Sequence, residues 1–151
     1  MAQFETGKEY RIKVVDGVAA GEYVTIGDNI AKPYGYVHTM ALDEKNADQK
    51  FTFVSSNGNW KVKSVNEEYF AHTGGSGDGW NTWNLNKTTD ESSATEVIFV
   101  STGTENEYYL RANASQYFKV GAVEGGGSSY KHVYYDAAQG ARTKFAVEEV
   151  E

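Results

Sequence analysis

The densest run of chemistry-bearing residues is His72-Thr73-Gly74-Gly75-Ser76-Gly77-Asp78-Gly79-Trp80-Asn81-Thr82-Trp83, with Asn86 just beyond. Glycines such as Gly75 let a backbone approach a bound molecule closely. Asp78, Asn81, Asn86 and His72 offer polar groups able to pair with adjacent hydroxyls, and Trp80 offers a flat apolar ring for the C–H side of a pyranose. An aromatic face beside a few aimed polar groups is the equipment of an open sugar site. Trp80 sits in a polar, glycine-rich run where burial is awkward, whereas Trp83 aligns with the segment of Leu42 and reads as core. A second polar cluster, Asp43, Asn46 and Gln49, closes the first third of the chain just before Phe51.

Catalytic patterns do not emerge. There is no nucleophile elbow, no HExxH, no Walker loop and no zinc-ligand spacing. Gly75 to Gly79 has the composition of a phosphate loop, but no strand-to-helix transition follows it, so a hairpin tip is the better reading. His38 and His132 each stand 13 positions before a phenylalanine, Phe51 and Phe145, which points to a shared structural hydrogen bond. No carboxylate cluster is available for calcium, so neither a metal nor any other cofactor is expected. The reading is of a binding protein and not an enzyme.

The elements that position these loops are strands. One proline, 16 glycines and 11 tyrosines suit short strands joined by tight turns. Tyr10, Ile12 and Val14 alternate with Arg11 and Lys13. Trp60, Val62 and Ser64 alternate with Lys61 and Lys63, and Tyr108, Leu110 and Ala112 with Tyr109 and Arg111. Helical spacing is absent, and Glu91 to Ala94 supports one turn at most.

These strands recur. Tyr10, Trp60 and Tyr108 stand 50 and 48 positions apart, and Tyr23, Tyr69 and Tyr117 stand 46 and 48 apart. Phe51-Thr52-Phe53, Val97-Ile98-Phe99 and Phe145-Ala146-Val147 keep the same rhythm. One more strand per repeat falls near Met40-Ala41-Leu42, Trp83-Asn84-Leu85 and Val133-Tyr134-Tyr135. Four strands three times over predict an all-β fold, a β-trefoil of twelve strands in three repeats of ~48 residues with pseudo-threefold symmetry. The single domain spans 1–151, with repeats near 7–57, 58–105 and 106–151. Tyr23, Tyr69, Tyr117, Phe51, Phe53, Phe99 and Phe145 are expected to fill barrel layers.

A chain of 151 residues with 21 acidic and 14 basic side chains carries a net charge of −7. That charge disfavours nucleic acid and anionic membrane surfaces within the ~8 Å reach of physiological screening. No apolar stretch reaches the ~20 residues of a membrane span. Cysteine is absent, and Met1 to Glu5 lacks the pattern of a signal peptide, so a cytoplasmic location is expected, with any release occurring without a classical signal.

Two resemblances attach to these residues. Asn46 and Gln49 before Phe51 resemble the end of a repeat in the ricin-B-type β-trefoil lectins, where an asparagine precedes a glutamine–any–tryptophan motif; Phe51 replaces the tryptophan. The resemblance implies a fungal-type lectin whose partners are glycans or glycoproteins, with a homodimer or a second site needed to agglutinate. Gly7 to Val15 followed by Ala20 to Thr25 resembles the opening of the mycocypins, small fungal trefoil inhibitors of cysteine proteases. That alternative implies a papain-like protease held by Asp16 to Gly21 and by Asp43 to Lys50, or a legumain-like one held by Val65 to Glu68 with Asn66. Fold does not choose between them, because trefoil function lies in the loops.

Overall fold

Alternation of buried and outward residues sets every strand of the computed structural model, which describes residues 4–26, 37–72, 85–112, 116–122, 131–136 and 142–151. Six strands close a ring. They are β1 (Tyr10–Val14), β4 (Phe51–Ser56), β5 (Asn59–Ser64), β8 (Glu96–Ser101), β9 (Glu107–Arg111) and β12 (Lys144–Glu149). Each pairs antiparallel with the next, and β12 returns to β1 over five residues, from Tyr10 opposite Glu149 to Val14 opposite Phe145. Closure removes the free edges that an open sheet would expose.

Three hairpins cap the ring: β2 (Tyr23–Ile26) with β3 (Val37–Met40), β6 (Tyr69–His72) with β7 (Leu85–Thr88), and β10 (Tyr117–Ala122) with β11 (Lys131–Asp136). In each repeat the cap hairpin joins the barrel at one equivalent bridge, Lys13 opposite Tyr23, Lys63 opposite Tyr69 and Arg111 opposite Tyr117. The β3 and β11 strands meet with His38 opposite His132, so the two repeat-equivalent histidines are neighbours in one ladder. The architecture is a β-trefoil. The strands fall on three of the four recurrent marker sets; of the fourth, β3 holds only Met40, β7 begins at Leu85 and β11 holds Val133 to Tyr135. The turn expected near Glu91 is a 3-10 turn at Glu91–Ser93.

The core is built from repeat-equivalent trios. Ile12, Val62 and Leu110 form one layer, and Phe51, Val97 and Phe145 another, all fully buried or nearly so. Each such side chain contributes about 1.5–3 kcal/mol by leaving water. At one end Phe4 plugs the barrel. Its ring lies 4.2 Å from Phe53, 5.0 Å from Phe99 and 5.3 Å from Trp60, between Tyr10 and Tyr108. The β4–β5 connection is the tight turn Asn57-Gly58, with φ of 51° and 84°. Two successive positive φ values are what a two-residue hairpin needs to follow the strand twist, and Asn-Gly supplies them with least strain.

Two expectations need correction. Tyr23 and Tyr69 are buried but lie outside the central cluster, and Tyr117 is half-buried. The next residue in each strand, Val24, Phe70 or Phe118, points inward instead. The tyrosines face the joint between cap and barrel, where Tyr23 Oη donates to Glu148 Oε1 at 2.8 Å and Tyr69 Oη to Glu91 Oε1 at 3.2 Å. Second, β3 ends at Met40, and Leu42 is 43% exposed beyond it. Alignment with Leu42 is therefore no evidence that Trp83 is core, and Trp83 itself lies outside the described residues.

Candidate functional site

The second-repeat loop is mounted on a firm base. Tyr69 pairs with Thr88, Phe70 with Lys87, Ala71 with Asn86 and His72 with Leu85. Phe70 and Leu85 anchor that hairpin in the core, and Lys87 Nζ meets Glu68 Oε2 at 2.8 Å along its flank. The loop that carries the candidate sugar-facing groups leaves this hairpin at His72 and re-enters at Leu85. Of the candidates, His72 and Asn86 are placed through their backbones, two rungs of one ladder. Gly75, Asp78, Trp80 and Asn81 lie outside the described residues.

The first-repeat cluster is described completely. Residues Ala47–Gln49 form a 3-10 turn capped by Asn46, whose Oδ1 accepts from the Asp48 N–H at 2.9 Å. Asp43 is exposed and its Oδ1 accepts from the Lys45 N–H at 3.0 Å, a local Asx turn. Gln49 is fully buried. Its Oε1 accepts from the Asp43 N–H at 2.9 Å, and its Nε2 donates to Ala41 O at 2.9 Å and Thr25 Oγ1 at 3.2 Å. The expectation that Gln49 contacts a ligand is corrected accordingly: its amide is engaged at both ends within the chain, out of reach of solvent. It braces the segment that presents Asp43 and Asn46. In the third repeat the equivalent position is Thr143, likewise buried, whose Oγ1 accepts from the Val120 N–H at 3.0 Å. Asn66 donates from Nδ2 to Asp48 Oδ1 at 2.6 Å, tying the β5–β6 turn to the same corner.

A third group escaped the sequence reading. On the outer face of the third repeat the Arg142 guanidinium carbon lies 4.5 Å from the ring centres of both Tyr109 and Tyr117. The two rings stand 6.5 Å apart at 88°. Alternation on β9 already implied that Tyr109 faces outward; reading Tyr117 as core concealed the pairing. Among the described residues no set of three His, Cys, Asp or Glu side chains gathers as metal ligands. No described helix is long and apolar enough to cross a membrane.

Known proteins agree with this architecture at the level of the fold. No family model and no curated protein sequence matches the chain. Among solved structures, the ricin B-like lectin of Macrolepiota procera in complex with lactose superposes with a TM-score of 0.66 at 15% identity, covering 99% of this chain and 100% of the lectin. A β-trefoil called BEL superposes with a TM-score of 0.67 at 14% identity, over 97% of this chain and 95% of its own. A GH54 α-L-arabinofuranosidase matches with a TM-score of 0.66 at 15% identity over 97% of this chain, which spans 32% of that enzyme's chain. The chain thus shares the β-trefoil fold along nearly its whole length.

Proposed function

We propose that this protein is a non-catalytic carbohydrate-binding lectin that holds glycans through its inter-strand loops. The observation that carries the reading is the end-to-end likeness to a trefoil lectin solved with lactose bound. The residues assigned to contact sugar are His72, Gly75, Asp78, Trp80, Asn81 and Asn86 on and beside the β6–β7 loop, with Asp43 and Asn46 on the first-repeat corner. Trp80 supplies the stacking face, and the carboxylates and amides supply aimed hydrogen bonds to hydroxyls. Each site is shallow and of modest affinity, and no metal takes part. The test is a glycan array on the full chain beside papain and legumain inhibition assays. Array signal lost on Trp80→Ala supports the lectin. A silent array together with stoichiometric protease inhibition abolished by Asn66→Ala overturns it in favour of a protease inhibitor.

A further inference from the structure

We infer that the outer face of the third repeat is a second glycan site, one that selects sugars bearing an oxyanion, either a carboxylate or a sulfate ester. The inference rests on the lectin reading and adds to it a separate location and a ligand class. Leu110, Phe118, Thr143 and Phe145 are buried. Alternation therefore turns Tyr109, Arg111, Tyr117, Lys119, Arg142 and Lys144 toward the outside, where Arg142 is exposed and the others half-buried. Four of the 14 basic residues of a chain with net charge −7 share this face. Two carboxylates of neighbouring strands and turns make hydrogen bonds elsewhere. Glu107 Oε2 accepts from Thr102 Oγ1 at 2.6 Å, and Asp16 Oδ1 accepts from the Lys144 N–H at 2.9 Å.

The geometry of Arg142 says what such a face can hold. Its guanidinium sits in the corner of two near-perpendicular tyrosine rings, 4.5 Å from each centre, and the Arg111 guanidinium lies 6.0 Å from the Tyr117 ring. A planar guanidinium can lay its face on only one of two perpendicular rings, and the N–H donors directed away from both rings remain for a two-pronged bond. That fork matches a carboxylate or a sulfate, where a lysine ammonium offers only a point charge. Two rings also hold the side chain in place before any ligand arrives, which lowers the ordering cost of binding. A neutral sugar gains little from such a clamp. One carrying an exocyclic oxyanion gains a charge-assisted pair beside aromatic surface.

The test is an array on the full chain with matched trios: a neutral lactoside, its sialylated form and its sulfated form. The expected result is that at least one anionic form binds about tenfold more tightly than the neutral one. That advantage shrinks as salt is raised and disappears in Arg142→Gln, while neutral-glycan binding and the thermal midpoint stay as in the parent. The matched forms separate the sources: an advantage confined to the sulfated lactoside and lost in Arg142→Gln marks sulfate, and one confined to the sialylated lactoside and lost in Arg142→Gln marks carboxylate. Neutral glycans bound with no anionic advantage, or an advantage that survives Arg142→Gln, overturns this inference and leaves the lectin reading standing. No glycan bound at all overturns both. Capture of a polyglutamate peptide, lost in Arg142→Gln while every glycan is silent, assigns the clamp to acidic peptides and likewise overturns the sugar assignment.

Discussion

Gln49 couples the barrel to a loop through three hydrogen bonds made by one buried amide. Deleting that amide leaves the Asp43 N–H and the Ala41 carbonyl without their partner, and an unmade hydrogen bond at a buried site costs more than a made one contributes. Gln49→Leu, which keeps volume and removes polarity, is expected to lower stability by about 2–3 kcal/mol, or roughly 5–10 °C in thermal midpoint. Urea unfolding checks the figure, and an unchanged midpoint would remove the bracing role. Tyr23 gives a second prediction at this scale. Burial first, then its hydrogen bond to Glu148 and that residue's charge, raise its phenol above the ordinary value of 10.0. The folded chain therefore keeps this proton longer than the unfolded one. The stabilisation is complete below the unfolded value and is lost as pH rises through the folded one. Glu148→Gln removes the charge and leaves the burial, so Tyr23 should titrate lower than in the parent yet still above 10.0. NMR of the ring carbons reads this directly; a titration unmoved by the substitution would show that Glu148 has no part in it.

At the scale of elements, strands were legible because one buried face forces period-two alternation, and three copies of the pattern made each assignment check the others. What alternation could not supply was the identity of inward residues at junctions. Tyr23, Tyr69 and Tyr117 recur as faithfully as core does, yet they mark the bridge from cap to barrel, while Val24, Phe70 and Phe118 fill the interior. Repetition reports equivalence of place, and a joint repeats as regularly as a core. Phe4 was illegible for the opposite reason: a single plug belongs to no repeat and carries no period. Its contacts with Phe53, Trp60, Phe99 and the flanking tyrosines make it the closure of one barrel end. Phe4→Ala should cost about 2–4 kcal/mol, and Phe4→Leu clearly less, because it still fills part of the space. Denaturant midpoints for the pair decide; equal losses would mean that the backbone at residue 4, and not its ring, seals the barrel. The candidate site was legible only as composition. The polar run after His72 and the cluster before Phe51 were visible as loops, but Gln49 looked like a ligand group because sequence shows chemistry without showing burial.

For the molecule as a whole, the decisive feature is that the ring closes between its first and last strands. β1 pairs with β12 from Tyr10 opposite Glu149 to Val14 opposite Phe145, the Val150 N–H donates to Glu9 O at 2.8 Å, and Lys8 Nζ meets Glu149 Oε2 at 2.8 Å. The exposed ion pair adds little by itself; the ladder and the burial of Phe145 and Val147 do the closing. Repeats in a solenoid touch only their neighbours and can be lost from an end with the remainder intact. Here each repeat contributes one member to every core layer, so removing any one opens the layer shared by all three. A chain ending at Thr143, without β12, leaves β1 and β9 each with an unpaired side and removes Phe145 and Val147 from the core cluster that holds Phe51 and Val97. The expected outcome is loss of the whole fold. The parent should unfold in urea through one transition reported together by far-ultraviolet circular dichroism and by tryptophan fluorescence. The shortened chain should show no cooperative transition by either probe, and an increased tendency to aggregate through its open strands. A shortened chain that kept two-thirds of the parent's signal and melted cooperatively would mean that the repeats are stable units in their own right. Loop chemistry would then be portable one repeat at a time, whereas a closed ring requires all three repeats to be present before any loop is held in place.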